Sequence, residues 1–226
     1  AAWGGPTLFS EKYAQLLSGI ERADSVTLDA HKQLYVPMGA GMVVFKDPTA
    51  LSAIEHHAAY ILRHGSKDLG SHTLEGSRPG MAMLVHAGLS IIGRKGYELL
   101  INMGIERAHH FAEQISRHED FELTSIPELN ILTYRYAPWS VRLLMADMDL
   151  EQKCQANLLL DQINQLIQKD QREAGKTFVS RTRLRSKDYG TKVITVLRVV
   201  LANPLTTNEI LQAVLEEQLK LALQPD

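Results

Sequence analysis

Cysteine occurs once in the 226 residues, at Cys154, so no disulfide can form within the chain and a reducing compartment is expected. Long apolar runs are missing too: none approaches the ~18 residues needed to span a bilayer. Neither charge dominates. Lys and Arg number 24 against 26 Asp and Glu, and the net charge of −2 gives no general attraction to nucleic acid or an anionic membrane. Aromatic residues are scarce, at 6%. The basic alternation Arg181, Arg183, Arg185, Lys187 accordingly has no interleaved stacking aromatic, and it reads as a solvated edge-strand face whose charge blocks unwanted pairing. Nine histidines raise the question of a metal. His56-His57 and His109-His110 are neighbours that would point about 100° apart on a helix, with no Cys or carboxylate at ligand spacing, so no metal is expected. The chain has no initiator Met and does not open on a basic segment followed by an apolar one, so no signal peptide is expected. A cytosolic protein with a small-molecule partner is the reading these absences leave.

The hydrophobic content, 45%, is enough for a substantial core, and the length allows one or two domains. The organising stretch is Asp24 to Asp47. Val26–Leu28 and Met42–Phe45 read as buried strands flanking a polar tip of Asp29, Ala30, His31 and Lys32, with Pro37, Gly39 and Gly41 supplying turn chemistry. A lysine at the mouth of an apolar sheet loses its proton more easily than one in water, and an unprotonated amine is what a Schiff base to an aldehyde requires. The other use of Lys32 at such a tip is as a solvated turn lysine.

Around that stretch the pattern predicts a short helix over Glu11–Ser18, capped by Ser10 and ended by Gly19, with Tyr13, Leu16 and Leu17 inward. Pro48 to Ala59 reads as helical. Tyr60 to Pro79, rich in Gly, Ser, His and charge, reads as a long functional loop. Met81 to Arg117 is helical with Gly93 and Gly96 breaking or bending it. There the chain is expected to pass from one domain, residues 1–95, to another, residues 96–226. The remainder alternates as strands Phe121–Ile126 and Asn130–Tyr136, helix Leu150–Ala174, strands Phe178–Leu184 and Val193–Leu201, and helix Thr207–Leu223. That order predicts a small antiparallel sheet covered by helices on one face. Leu158, Leu159, Ile163, Leu166 and Ile167 form the stripe by which the Leu150–Ala174 helix should meet the core. Arg198 interrupts the apolar run V-L-R-V-V-L, and a buried guanidinium needs an anion: a carboxylate such as Asp188 or Glu209, or the carboxylate of a substrate.

Three stretches carry a resemblance. D-S-V-T-L-D-A-H-K (Asp24–Lys32) is similar to the cofactor-lysine segment of the pyridoxal-phosphate-dependent group II amino-acid decarboxylases. Ala1-Ala2-Trp3-Gly4-Gly5 resembles their D-A-A-W-G-G segment, and Leu197 to Thr207 resembles their C-terminal L-R-x-x-x-x-N-P-x-T-T. Thr73 to Gly80 also resembles family members. The three motifs run in the family's order from Ala1 to Thr207. The aspartate that in the family precedes Ala1 and pairs with the pyridine nitrogen is absent, as are the phosphate-binding loop and the ring-stacking residue, so the resemblance is to a C-terminal half.

The resemblance implies an α/β chain: a piece of a fold-type-I pyridoxal-phosphate enzyme, with part of the large-domain sheet in residues 1–95 and a small α+β domain in 96–226. It implies pyridoxal 5'-phosphate as cofactor, held by Lys32, with His31, Asp29 and Ala2 about it. It implies Arg198 as the group that takes the substrate carboxylate. In the family a loop tyrosine protonates the intermediate, and Tyr60 is the matching candidate here; His64, or a merely packed Tyr60, are the alternatives. The reaction implied is decarboxylation of an amino acid, glutamate or aspartate before an aromatic one, in a homodimer. Another lyase or a transaminase on the same fold, or a non-catalytic dimerisation piece, are the other readings.

Overall fold

Strands β1 (Ser25–Asp29) and β2 (Gly41–Phe45) pair antiparallel with Ser25 opposite Phe45 and Asp29 opposite Gly41, so the polar tip leaves the end of β1. This computed structural model describes every residue except 59, 61, 63, 64, 66–68, 74, 76, 187, 188, 190–192, 225 and 226. The chain divides into two compact units, Ala1–Asn102 and Met103–Asp226.

In the first unit the turn chemistry places Gly39 at φ 100°, a conformation that favours glycine, just before β2. Ala30, Leu34, Val36 and Ala40 are buried, as are Tyr97 and Ile101. Tyr97 donates its hydroxyl to Leu34 O at 3.0 Å and stacks on Phe9, ring centroids 5.6 Å apart. The two strands are not buried as expected. Val43 and Val44 are exposed, because the described residues of this unit form a sheet of only two strands and leave its faces open. The predicted Glu11–Ser18 helix is a 3₁₀ turn over Ala14–Leu17, with Leu16 exposed. So short a segment gains little from α-helical bonds, and Ser10 fixes its entry instead: the Ser10 Oγ accepts from Tyr13 N–H at 3.1 Å and donates to Asn102 Oδ1 at 2.6 Å. Pro48 to Ala59 holds only a 3₁₀ turn, Ala50–Ile54, and Ala59 lies outside the described residues.

Helix α1 (Met81–Arg117) is interrupted at Gly93, whose φ of 65° and ψ of 170° are not helical. Its residues from Met103 onward belong to the second unit, with β3 (Phe121–Ser125), β4 (Ile131–Tyr136), α2 (Trp139–Ala146), α3 (Leu150–Ala174), β5 (Ser180–Leu184), β6 (Ile194–Val200) and α4 (Asn208–Ala222). The four strands form an antiparallel sheet in the order β3-β4-β6-β5. Helix α2 was not expected from the sequence. It follows Pro138 directly and is only eight residues long.

Cover on one face alone was also expected, and the structure differs. One apolar cluster takes Phe111, Ile115, Leu132, Tyr134, Leu197 and Leu215; a second takes Met145, Leu160, Ile194 and Val196. Successive residues of β6 point to opposite faces, so Leu197 in one cluster and Val196 in the other show both faces covered, the second with help from α2.

The stripe assigned to α3 is mostly outside. Leu158, Leu159 and Leu166 are 53, 62 and 49% exposed, whereas Asn157, Asp161, Asn164, Gln168 and Gln171 are buried with Leu160 and Ile167. The polar residues are needed where the ladder between β4 and β6 ends at Tyr134 and Leu197. Asn164 accepts from Tyr136 N–H and donates to Tyr136 O; Asp161 accepts from Thr195 N–H; Gln168 donates to Val179 O. Backbone groups that no strand partners are thereby satisfied. Arg135, fully buried, donates to Glu122 Oε2 at 2.9 Å and to Asn157 at 2.8 Å, and lies 3.9 Å from the ring centroid of Tyr189. Burial and the bond to Glu122 push the Tyr189 hydroxyl up to about 12.

Candidate active site

The Ala1–Gly5 segment and the polar tip, well separated in sequence, meet in the first unit. Asp29 N–H donates to Ala2 O at 3.1 Å, and Gln33 Nε2 donates to Trp3 O at 3.1 Å. Gly5 lies so close to β1 that a Cβ there would stand 1.8 Å from Leu28 Cδ2, and Leu28 would have to move. The close approach is what glycine allows at that position.

The tip is held by its own backbone. Ala30 N–H donates to Ala40 O at 2.9 Å, Lys32 N–H to Asp29 O at 3.1 Å, and Tyr35, at φ 56°, turns the chain so that Val36 N–H reaches Ala30 O at 3.2 Å. Lys32 Nζ sits 2.5 Å from Asp29 Oδ2, with the lysine side chain 33% exposed. The hydrogen bond from Lys32 draws the Asp29 carboxyl below its ordinary value of 3.8 against the opposing effect of burial, and the charges of Lys32 and His31 add to the lowering. His31 Nδ1 faces Ala40 O at 3.2 Å. The expected setting for Lys32, an amine stripped of water in an apolar mouth, is therefore not the one found. The open strand faces leave it partly in water, and a carboxylate three residues earlier holds it.

Of the residues singled out in the sequence, Lys32, His31, Asp29 and Ala2 come together. Gln33, which ties the tip to Trp3, gave no signal in the sequence, since one glutamine in a turn has no distinguishing pattern. Tyr60 is 80% exposed, and His64 lies outside the described residues. Thr73 and Arg78 in the same segment bond one another, and Arg78 Nε pairs with Glu75 at 2.6 Å.

Arg198 is on β6 in the second unit and is half-buried, less deep than its apolar run predicted. It lines a cleft of about 330 Å³ with Lys176, Phe178, Ser180, Thr206 and Ile210. Its own carbonyl accepts from Ser180 Oγ at 2.8 Å. Of the two carboxylates weighed as partners, Glu209 is engaged by Thr207, whose hydroxyl lowers its carboxyl, and Asp188 lies outside the described residues. Among the described residues no carboxylate pairs with the Arg198 guanidinium. No cluster of three or more His, Cys, Asp or Glu suited to a metal occurs among them either, and no described helix is long and apolar enough to cross a membrane.

The chain is 61% identical over 222 residues to aspartate 1-decarboxylase of Aliivibrio fischeri, covering 98% of this chain and 41% of that protein. It is 28% identical to aromatic-L-amino-acid decarboxylase of Bacillus atrophaeus, covering 92% of this chain and 40% of that one. The fold matches the crystal structure of mouse CSAD in apo form with a TM-score of 0.83 at 23% identity, over 98% of this chain and 44% of that one. It matches Oryza sativa TDC with PLP and tryptamine with a TM-score of 0.79 at 17% identity, over 98% and 43%. The fold is thus the fold-type-I one, and the chain spans about two fifths of the length of the curated relatives it matches. Residues 1–137 match the model of the pyridoxal-dependent decarboxylase conserved domain, and the chain belongs to that family.

Proposed function

We propose that the protein to which this chain contributes removes a carboxyl group from an acidic amino acid, aspartate in preference to glutamate, with Lys32 as the residue that joins pyridoxal 5'-phosphate. The observation that carries the reading is the amine of Lys32, partly exposed at the end of β1 and paired with Asp29, in a chain 61% identical to an aspartate 1-decarboxylase. That relative favours aspartate over the glutamate that the motifs alone left equally open.

The residues of the tip fit the aldehyde end of the cofactor. They offer a reachable primary amine, a carboxylate within hydrogen-bond distance to hold its proton, and an imidazole fixed through Nδ1 against Ala40 O. When bound, the cofactor supplies the electron sink that lets a carboxylate leave as carbon dioxide. The chain supplies orientation and proton handling. Lys32 must give up a proton before its nitrogen can attack a carbonyl carbon, and Asp29, 2.5 Å away, holds the protonated amine in position until it does.

Arg198 is proposed to take a substrate carboxylate through two parallel N–H···O bonds, supported by a guanidinium that no described carboxylate occupies. Tyr60 is the proposed proton donor to the carbon that loses carbon dioxide, supported by its exposure and by its place in the long segment before α1. A homodimer is the proposed assembly, with residues 1–95 belonging to a larger cofactor domain and 96–226 to a small one.

Borohydride reduction of the loaded full-length enzyme, followed by peptide mapping, tests the central assignment. A phosphopyridoxyl group on Lys32 is the expected result, and its appearance on any other lysine removes Lys32 from the role.

A further inference from the structure

We propose that the second unit carries a binding site for a small phosphate-class oxyanion, built by Arg181 and Arg183 of β5, Thr195 of β6 and Gln165 of α3. These residues and Thr182 line a cavity of about 270 Å³. The strand register explains how they meet. Arg183 lies directly opposite Thr195 in the antiparallel pair, and partners in that position project to the same face. Arg181, two residues earlier, shares the face with them. Helix α3 closes one side, where Arg181 Nη1 makes a long hydrogen bond of 3.4 Å to Gln165 O.

Two features separate this place from an ordinary charged edge. Arg183 has no acidic partner among the described residues, so none of them commits its fork of donors. Thr195 is only 2% exposed, and its Oγ1 has no hydrogen-bond partner among the described residues. Positive charge on an edge strand is enough to block pairing with another strand. That purpose requires neither a polar cavity nor a buried hydroxyl with nothing to bond, and an oxyanion supplies what both lack.

The charge and shape select the ligand. Asp161 accepts from Thr195 N–H at 2.7 Å, so among the described residues one carboxylate stands against two guanidinium groups, a net charge of plus one. A planar carboxylate is satisfied by the parallel donors of a single arginine. Two arginines and a hydroxyl converging from β5 and β6 suit an ion with three or more oxygens. Among the described residues no aromatic side chain lines the cavity, so a nucleotide base finds no described ring to stack on, and inorganic phosphate or a simple phosphate ester is the class that fits.

The site uses neither Lys32 nor Arg198, so it stands or falls independently of the proposed reaction. The test is an amide NMR and calorimetric titration of the chain with inorganic phosphate at ionic strength held constant with chloride, repeated with glycerol 3-phosphate. Saturable shifts centred on Arg181 to Arg183 and Thr195 are expected, with affinity falling about tenfold or more in Arg183→Gln and in Thr195→Val. Arg183 is exposed, so its variant should fold and decides the matter even if Thr195→Val does not. Tighter binding of the ester identifies a phosphate monoester as the ligand, and tighter binding of the inorganic ion identifies free phosphate. Shifts that chloride reproduces, or an affinity that the arginine variant leaves unchanged, overturn the proposal.

Discussion

Asp29 and Lys32 are close enough that each sets the chemistry of the other, and the carboxylate offers the cleaner measurement. Its ordinary value of 3.8 is lowered by the hydrogen bond from Lys32. A group whose folded value is depressed contributes stability that is present above its unfolded value and lost as pH falls through the folded one. The Asp29 carboxyl carbon should therefore titrate by NMR with a midpoint below 3.8, and Lys32→Ala should bring it back up; a midpoint at or above 3.8 in the unaltered chain would show the pair is not formed. Arg198 calls for a different substitution. Lysine keeps the charge but cannot make two parallel bonds to a carboxylate. In the full-length enzyme Arg198→Lys should leave the melting temperature near that of the parent and lower kcat/KM by about 1.5–3 kcal/mol, the usual worth of a charged hydrogen bond. Reduced stability with unchanged turnover per folded site would make Arg198 a structural residue instead.

At the scale of elements, helix α3 inverts the usual relation between pattern and burial. Asn164 makes three bonds from a fully buried position, accepting from Tyr136 N–H and donating to Tyr136 O and Leu160 O. Leucine at that position removes the partner of two Tyr136 backbone groups, at about 1–3 kcal/mol for each buried group left unsatisfied. Asn164→Leu should therefore lower the unfolding free energy by about 2 kcal/mol or more in a urea titration. Leu158→Gln and Leu159→Gln, on the exposed side, should change it by no more than about 0.5 kcal/mol. The opposite ranking would mean that the apolar side of α3 faces the core after all. The boundaries read for α3 from the sequence match the structure, where Asp149 and Gln152 form a capping box and Gly175 ends the helix at φ 67°. Its inner face was not legible, since three- and four-residue spacing marks an apolar stripe without saying whether the neighbouring strands need carbon or hydrogen bonds.

For the whole molecule, the first unit contains the motif lysine but little that would grip a phosphate. Around the tip, the amides of Asp29, Ala30, Lys32 and Tyr35 already donate to Ala2, Ala40, Asp29 and Lys32 carbonyls. A phosphate needs a cradle of free N–H groups. This chain alone should therefore lose pyridoxal phosphate on dialysis, and visible absorbance that survives dialysis would overturn the expectation. The sequence by itself determined the family through three ordered motifs, the lysine that follows β1, and the order of the strands and of helices α3 and α4 from Phe121 onward, though not α2. Those depend on local patterns: β-branched runs, caps, and glycines at turns. Only the tertiary structure decided that Asp29 holds Lys32, that Gln33 ties the tip to Trp3, that β1 and β2 keep open faces, and that α3 turns its amides inward. Each of these depends on which distant group arrives within hydrogen-bond reach, or on how many layers cover a strand, and a one-dimensional pattern carries neither quantity.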